Sequence, residues 1–550
     1  MAKTIVFGID GGSLDILRPM AEMGHLPNMA AMLDKGMSGP LQSTVPPITA
    51  AAWTSFATGC HPGKHGLVDF VAPDIPDYRS RILNSTHRLK KTFWQILGEA
   101  GMTSGVIGVP MTYPPESHAG YLITGMMTPS TADRFTSPPS LRQELERELG
   151  PFPIHPGEGV MPSQTERYLQ RIKEDMRQRA RWALHLLEKQ PTDFFMYVFS
   201  ATDPLQHQFF EVIAEGLKGE REDRERGLFP MILSVYSLMD ELMGRMLEAA
   251  GGKPLVMVMS DHGFGPLEGF FHVNTWLMQE GYMVLQKGAA STFKRWLFNR
   301  GLTPENIHLT LLRMGVDLRR RVNKGRSYQR LRRFFLSFDD VDWSRTSAFS
   351  MGHVGQIYIN RKSLYRQGLV EDGPPCHEVR EKLKKDLLSL KNAQTGEPVV
   401  GEVYDREAIY PGNGLGPAPD ILFLPSGLKI MSFGETEFAS RKIIGDSLGH
   451  TGHHRLEGAI IACGTGVPQG TITGAEILDL APTILYHLGL GIPSDMDGRI
   501  LEEIFPPERM TSDPPRAVSP EHDLPEPKAG YSQEEEEMIR ERLKDLGYMA

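Results

Sequence analysis

Several side chains in this sequence stand where a short apolar run gives way to a turn, and their types are those of metal ligands. Asp10 follows the run IVFGI and precedes two glycines. Asp203 and His207 follow MYVFS in SATDPLQHQ, and Asp261 and His262 follow VMVM in SDHGFG. The i, i+4 spacing of Asp203 and His207 puts both on one face if that segment turns helical. A further group, His450, His453 and His454, lies in GHTGHHRLEG ahead of another apolar run. Mixed aspartate and histidine donors without cysteine suit zinc, manganese or iron, and disfavour a closed structural zinc site. Singly these residues say little, since an aspartate at a strand end is more often a helix cap and a histidine cluster is commonly a solvated turn. Their sum carries the weight. A hydroxyl joins them: Thr49, in STVPPITAAAWTSFATG, sits near the N-cap of a helix that starts after two prolines. A helix N-terminus favours a phosphoryl group, and a metal-bound hydroxyl there has a lowered pKa and becomes a nucleophile. The competing reading of Thr49 is a structural N-cap.

The elements that must position these groups follow from periodicity. Thr4–Ile9, Gly105–Val109, Phe194–Phe199, Leu255–Met259 and Ala459–Ala462 read as buried parallel strands. Helical patterns cover Leu26–Lys35, Thr92–Ala100, Ser163–Lys189, Met231–Ala250 and Leu478–Leu488. Strands alternating with helices predict an α/β protein with a mostly parallel central sheet covered on both faces, which presents ligands beyond the carboxyl ends of its strands. Lys287–Phe338 breaks the rhythm. It is dense in arginine (Arg319, Arg320, Arg321, Arg326, Arg330, Arg332, Arg333) and reads as a mostly helical insertion, either a cap or a solvated basic face, with RNA binding as a weaker reading. The tail after Pro506 reads as a linker, followed by a short amphipathic helix with Ser532 and Glu535 as a capping box and Ile539, Leu543 and Leu546 on one face.

A net charge of -9 over 550 residues gives no general attraction for nucleic acid or anionic membrane, so a phosphate substrate needs local positive charge, which metal ions supply. Cys60, Cys376 and Cys463 are too few and too scattered for a disulfide framework. The opening MAKTIVFGIDGG lacks a signal-peptide pattern, and no uncharged run approaches the ~18–20 residues of a membrane span. These features predict a cytoplasmic chain with a small phosphorylated substrate, no nucleic-acid partner and no membrane span; a homo-oligomer is compatible with them.

The segments GIDGGSLD, STVPPITAAAWTSFATGCHPGKHGLVDF, SATDPLQHQFF, SDHGFGP, NTWLMQEGY, HHRLEGAIIACGTGV and LDLAPTILYHLG resemble, in order, the alkaline phosphatase superfamily and its type I phosphodiesterase/nucleotide pyrophosphatase branch. The resemblance implies a three-layer α/β/α core over 1–285 and 420–505, an insertion or cap over 286–419, and a linker and amphipathic helix over 506–550. It implies two divalent metal ions, zinc first and manganese as the alternative. Asp203, His207 and one histidine of the cluster would hold one ion, with His454 favoured over His450 and His453. Asp10, Asp261, His262 and Thr49 would hold the other. Thr49 lies where these families place the nucleophile, nine residues before the Thr58 of the Thr-Gly pair. Cys60-His61-Pro62-Gly63-Lys64 superficially resembles a sulfatase signature but falls beyond that pair and ends in lysine. The nucleotide pyrophosphatases carry a downstream asparagine that contacts a phosphoryl oxygen. Here HGLVDF offers Asp69 and Phe70 instead, which counts against nucleotide pyrophosphate cleavage. The implied activity is a phosphodiesterase or phosphomonoesterase working through phosphothreonine, with Lys64 or an arginine of the insertion able to hold a distal phosphate. A phosphomutase or phosphotransferase, and an inactive metal-binding scaffold, are the alternatives.

Overall fold

The computed structural model describes residues 2–161, 163–219, 227–313, 333–410, 418–434, 438–520 and 530–545. The chain divides into two compact units, one made of Met1–Val68, Asn84–Phe264 and His454–Ile539, the other of Asp69–Leu83, Gly265–His453 and Arg540–Ala550.

The first unit is built on a ten-stranded sheet. Thr4–Ile9 lies at its middle, parallel to Phe194–Phe199 on one side and to Leu255–Met259 on the other. Ser104–Ile107 and Gly120–Ile123 extend the parallel run beyond Phe194–Phe199. Each strand sends alternate residues to opposite faces, and both faces are buried. Ile5, Phe7, Phe195, Tyr197 and Val256 join a core roofed by the helices Pro27–Lys35, Thr165–Lys189 and Leu228–Ala250. Val6, Phe194, Met196, Leu255 and Met257 face the opposite way, against the helices Thr49–Thr58, Phe93–Glu99 and Leu480–His487. The result is the expected three-layer α/β/α core.

One strand departs from its sequence reading. Ala459–Ala462 belongs to a longer strand, Glu457–Cys463, that runs antiparallel to Leu255–Met259 and to Met37–Gln42. Strand direction is a property of the partner, and an apolar run gives no sign of it. Met37–Gln42 itself carries no alternating pattern. Its Gly39 is required by contact, because a Cβ there would stand 1.9 Å from the carbonyl oxygen of Ile472.

The second unit holds two four-stranded sheets. One is ordered Gly352–His353, Ile430–Gly434, Gly269–His272, Ile444–Gly445; the other Ala348–Ser350, Gln356–Ile359, Ile421–Pro425, Val400–Asp405. Pairing of Gly269–His272 with Ile430–Gly434 explains why this unit reaches beyond 286–419 at both ends. It also takes in the hairpin of Val71–Asp74 and Arg79–Ile82, where Tyr78 stacks on Trp343 with ring centroids 3.7 Å apart. The basic insertion is helical over Ala289–Asn299 and Pro304–Arg313; Arg319 to Arg332 lie outside the described residues.

The tail forms the helix Gln533–Asp545, with the capping box in place. Ser532 N donates to Glu535 Oε2 at 2.8 Å and Glu535 N to Ser532 Oγ at 3.3 Å. It docks on its own chain through Tyr531, which donates to the carbonyl of Met127 at 2.6 Å, and through buried Ile539. Leu546 lies outside the described residues. Among the described residues, no helix is long and apolar enough to cross a membrane.

Candidate metal centre

Three strands of the first unit deliver the acidic residues. Asp10 follows Thr4–Ile9, and Asp261 lies two residues beyond Leu255–Met259. Asp203 stands in the first turn of the helix Thr202–Lys218, entered directly after Phe194–Phe199, with His207 one turn on. Gly11, at φ +72°, makes the exit from the first strand, and a Cβ there would meet the Phe264 ring at 2.7 Å. Thr49 is the first residue of the helix Thr49–Thr58. Ile48, not Thr49, occupies the cap position, and no side chain caps the helix, so the structural N-cap reading of Thr49 does not hold.

The seven side chains converge and are all buried. His454 Nε2 lies 3.1 Å from Asp203 Oδ1 and 3.1 Å from His207 Nε2, and His207 Nε2 lies 3.3 Å from Asp203 Oδ1. His262 Nε2 lies 3.2 Å from Asp261 Oδ2, 3.6 Å from Asp10 Oδ1 and 3.3 Å from Thr49 Oγ1. The two groups adjoin, because the rings of His262 and His454 stack with centroids 3.6 Å apart. His450 and His453 fall in the second unit.

Hydrogen bonds behind the imidazoles decide which nitrogen faces the centre. His454 Nδ1 donates to the carbonyl of Pro47 at 2.9 Å, and His262 Nδ1 to that of Gly263 at 3.1 Å. Each ring therefore turns an unprotonated Nε2 inward, the arrangement of a metal-ligating histidine. Asp10 Oδ1 and Asp261 Oδ2 are buried without a hydrogen-bond donor. Carboxylate oxygens and imidazole nitrogens converging in this way fit a cation. Two groups, Asp203 with His262 and His454, and Asp10 with Asp261 and His262, each bring three ligand atoms within 4.8 Å of one another, and His207 and the Thr49 hydroxyl lie beside them.

The electrostatics agree. Burial, then the charges of Asp261 and Asp203, raise Asp10 well above the carboxylate range, and burial raises Asp261 likewise. Burial also pushes Asp203 up, but His207 and His454 outweigh it and hold that carboxyl well below its usual value. His262 and His454 are lowered by burial, and His262 further by His454. Without cations, burial disfavours the ionised forms of Asp10 and Asp261, and Asp203 alone keeps compensating partners.

A supporting shell was not read from the sequence. Ser43 Oγ donates to the Asp261 carbonyl at 2.5 Å, Thr202 Oγ1 to the Asp10 carbonyl at 2.6 Å, and Gln206 Nε2 to the Gly11 carbonyl at 2.8 Å. Ser260 Oγ accepts from Gly12 N at 2.7 Å and donates to the His262 carbonyl at 2.6 Å. The available signal was local, since Thr202 and Ser260 directly precede the aspartates they help to seat. Lys64, considered for a distal phosphate, is engaged elsewhere, with Asp497 and the carbonyl of Asp495. Asp69 belongs to the second unit, where it accepts from His353 N at 2.6 Å and pairs with His353 Nδ1 at 2.8 Å.

A solved structure shares the fold. A phosphonoacetate hydrolase from Sinorhizobium meliloti 1021, in complex with phosphonoformate, matches with a TM-score of 0.51 at 12% identity, covering 88% of this chain and 95% of the other. The same enzyme in complex with phosphonoacetate matches with a TM-score of 0.49 at 12% identity over the same shares. No curated protein matches the sequence. The profile of the type I phosphodiesterase/nucleotide pyrophosphatase family matches residues 4–426 and stops short of His454, which the fold brings back to the centre. The chain belongs to the type I phosphodiesterase/nucleotide pyrophosphatase family, and is a phosphoester hydrolase of the alkaline phosphatase superfamily.

Proposed function

We propose that the chain hydrolyses phosphodiesters or phosphomonoesters through Thr49, with Asp203, His207 and His454 holding one divalent cation and Asp10, Asp261, His262 and Thr49 the other. The observation that carries this reading is the Thr49 hydroxyl, 3.3 Å from His262 Nε2 at the first residue of a helix. Bound zinc, or manganese in its place, would supply the Lewis acidity that lowers the pKa of a hydroxyl and takes up charge on the leaving oxygen. Thr49 Oγ1 attacks phosphorus as it gives up its proton, which passes through solvent to the leaving oxygen. The P–O bond to the leaving alkoxide breaks, and a phosphothreonine forms. Water then attacks the same phosphorus, its oxygen leaving as phosphate from a monoester or as a phosphomonoester from a diester, and one of its protons restores the Thr49 hydroxyl. The free N–H groups of the first helical turn favour negative charge where the phosphoryl group would sit. His454 and His262 keep their Nε2 lone pairs inward throughout, because Pro47 and Gly263 hold their other nitrogens.

The test is turnover of bis-p-nitrophenyl phosphate, p-nitrophenyl phosphate and phosphonoacetate with zinc or manganese added, for wild type beside Thr49→Ala. Loss of about a thousandfold or more in kcat in the variant, and loss on chelation, is the expected result. Undiminished turnover in Thr49→Ala would overturn the nucleophile. Product analysis with an alcohol acceptor separates hydrolase from phosphotransferase, and a complete donor set beside an intact hydroxyl argues against an inactive scaffold.

A further inference from the structure

The helix Ala289–Asn299 of the second unit is anchored by polar groups and leaves its largest apolar side chains in solvent. Ser291 Oγ donates to Asp340 Oδ1 at 2.8 Å, and Lys294 Nζ to Asp340 Oδ2 at 2.9 Å. Phe298 is the aromatic it buries, beside Phe438 with ring centroids 6.3 Å apart. Phe293 and Trp296 remain 51% and 50% exposed, and Leu302 just beyond the helix is 36% exposed. One exposed apolar residue is ordinary, but two large aromatic rings side by side mark an interaction surface.

Along the sequence, the charge between Glu280 and Glu305 is of one sign. From Gly281 to Pro304 the sequence has four basic residues, Lys287, Lys294, Arg295 and Arg300, and no aspartate or glutamate. Lys294 is committed to Asp340, whereas Lys287, Arg295 and Arg300 are exposed. On a chain with a net charge of -9, this stretch is a local exception, with Asp340 paired to Lys294.

We propose that this face docks on an anionic phospholipid bilayer, with Phe293 and Trp296 entering the interfacial layer and Lys287, Arg295 and Arg300 meeting lipid phosphates. Exposed aromatics flanked by cations on a helix lying in the surface plane are the features such binding requires, and no membrane span is needed. Nucleic acid would be drawn by the same charges, but base stacking needs an open ring face. Here Phe293 and Trp296 stack on each other, with centroids 6.0 Å apart and planes at 17°, and the Arg300 guanidinium lies 5.0 Å from the Trp296 ring centroid. A bilayer needs only the apolar surface the pair presents. A single short helix of this kind gives weak, reversible, salt-sensitive attachment.

Co-sedimentation of the full chain with large unilamellar vesicles tests this, using phosphatidylcholine alone and phosphatidylcholine with about 30% phosphatidylglycerol, at about 0.1 and 0.5 M salt. The expected result is partition onto the anionic vesicles at low salt that falls at high salt and is weak on neutral lipid. Phe293→Ala/Trp296→Ala and Arg295→Glu/Arg300→Glu should each cut it by roughly tenfold or more, with circular dichroism and Tm unchanged because all four side chains are exposed. No partition onto anionic vesicles at low salt overturns the proposal, as does partition unchanged in both variants. So does a dimer of this chain that Phe293→Ala/Trp296→Ala dissolves in sedimentation velocity, which would make the face a self-association surface. Tighter binding of a single-stranded oligonucleotide than of vesicles, lost in the same variants, would also overturn it.

Discussion

Asp10→Asn should stabilise the metal-free protein and abolish its activity. Asp10 is 1% exposed, its Oδ1 has no hydrogen-bond donor, and burial together with Asp261 and Asp203 raises its carboxyl well above the ordinary range. A buried acceptor left without a partner costs about 1–3 kcal/mol, and more when it is charged. The amide keeps the shape, removes the charge and can donate to the Asp261 carboxylate. A gain of about 1–3 kcal/mol for the chelated protein follows. At 2–4 °C per kcal/mol for mid-sized domains, that is a rise in Tm of roughly 2–12 °C.

Cations reverse the order. Any ligand that binds only the folded state adds about 4 kcal/mol when present at a thousand times its Kd. Wild type should gain this from both donor sets, while Asp10→Asn keeps only that of Asp203, His207 and His454. Thermal melts of both proteins after chelation and with zinc should therefore cross, with the variant higher without metal and wild type higher with it. Turnover of bis-p-nitrophenyl phosphate in zinc should fall about a thousandfold or more, equivalent to roughly 4 kcal/mol of barrier. A chelated variant less stable than chelated wild type by 2 kcal/mol or more would make Asp10 a structural residue and refute the reasoning. Retention of activity within about tenfold would do the same.

Three other expectations come from single contacts. His65 is pushed down to about 3, by burial and then by Arg88, and its Nε2 faces Ser55 Oγ at 2.9 Å. A lowered histidine stabilises the fold above its ordinary value of 6.5 and loses that as pH falls toward 3, so urea unfolding at about pH 5 should cost wild type about 2 kcal/mol more than His65→Gln, relative to neutral pH; equal losses refute it. Gly8→Ala puts a Cβ 2.4 Å from Trp53 Cη2, on the helix that starts at Thr49, and should cost about 1–3 kcal/mol in a thermal melt and lower ester turnover; an unchanged melt would mean that Trp53 moves freely. Tyr531→Phe leaves the Met127 carbonyl without its 2.6 Å donor, so limited proteolysis should release the C-terminal helix roughly tenfold faster, and an unchanged rate would show that the tail is held elsewhere.

The parts of the centre that were legible in the sequence are those that local pattern dictates. An apolar run ending in Asp10, Asp203 or Asp261 marks the carboxyl edge of a buried strand, and the three runs that carry these residues, Thr4–Ile9, Phe194–Phe199 and Leu255–Met259, fall where periodicity puts them. What stayed hidden is set by partners distant in the chain. The antiparallel course of Glu457–Cys463 depends on Leu255–Met259, some 200 residues away. The orientation of His454, which the resemblance favoured over its neighbours, is set by the Pro47 carbonyl, and no spacing rule encodes a backbone acceptor 407 residues distant. The two sheets of the second unit were missed for a related reason, since strands as short as Ala348–Ser350 and Gly352–His353 carry too few residues to show an alternating pattern.

The charge of the protein makes sense of the centre that the family membership brings with it. Three buried carboxylates, Asp10, Asp203 and Asp261, would repel a phosphate ester once ionised, and among the imidazoles His207 and His454 offset only the charge of Asp203. A net charge of -9 gives no help from the rest of the chain. Two divalent cations would outweigh the three carboxylates by a single positive charge, turning a repulsive site into an attractive one. On the proposed function, such a site would be coupled to its metals twice, through the binding of substrate and through the acidity of Thr49, while His262 and His454 are held by backbone carbonyls in the tautomer that such binding needs. The excess of buried carboxylate, costly to the empty fold, is what makes the centre selective for cations, and it is the reason stability and activity should move in opposite directions at Asp10.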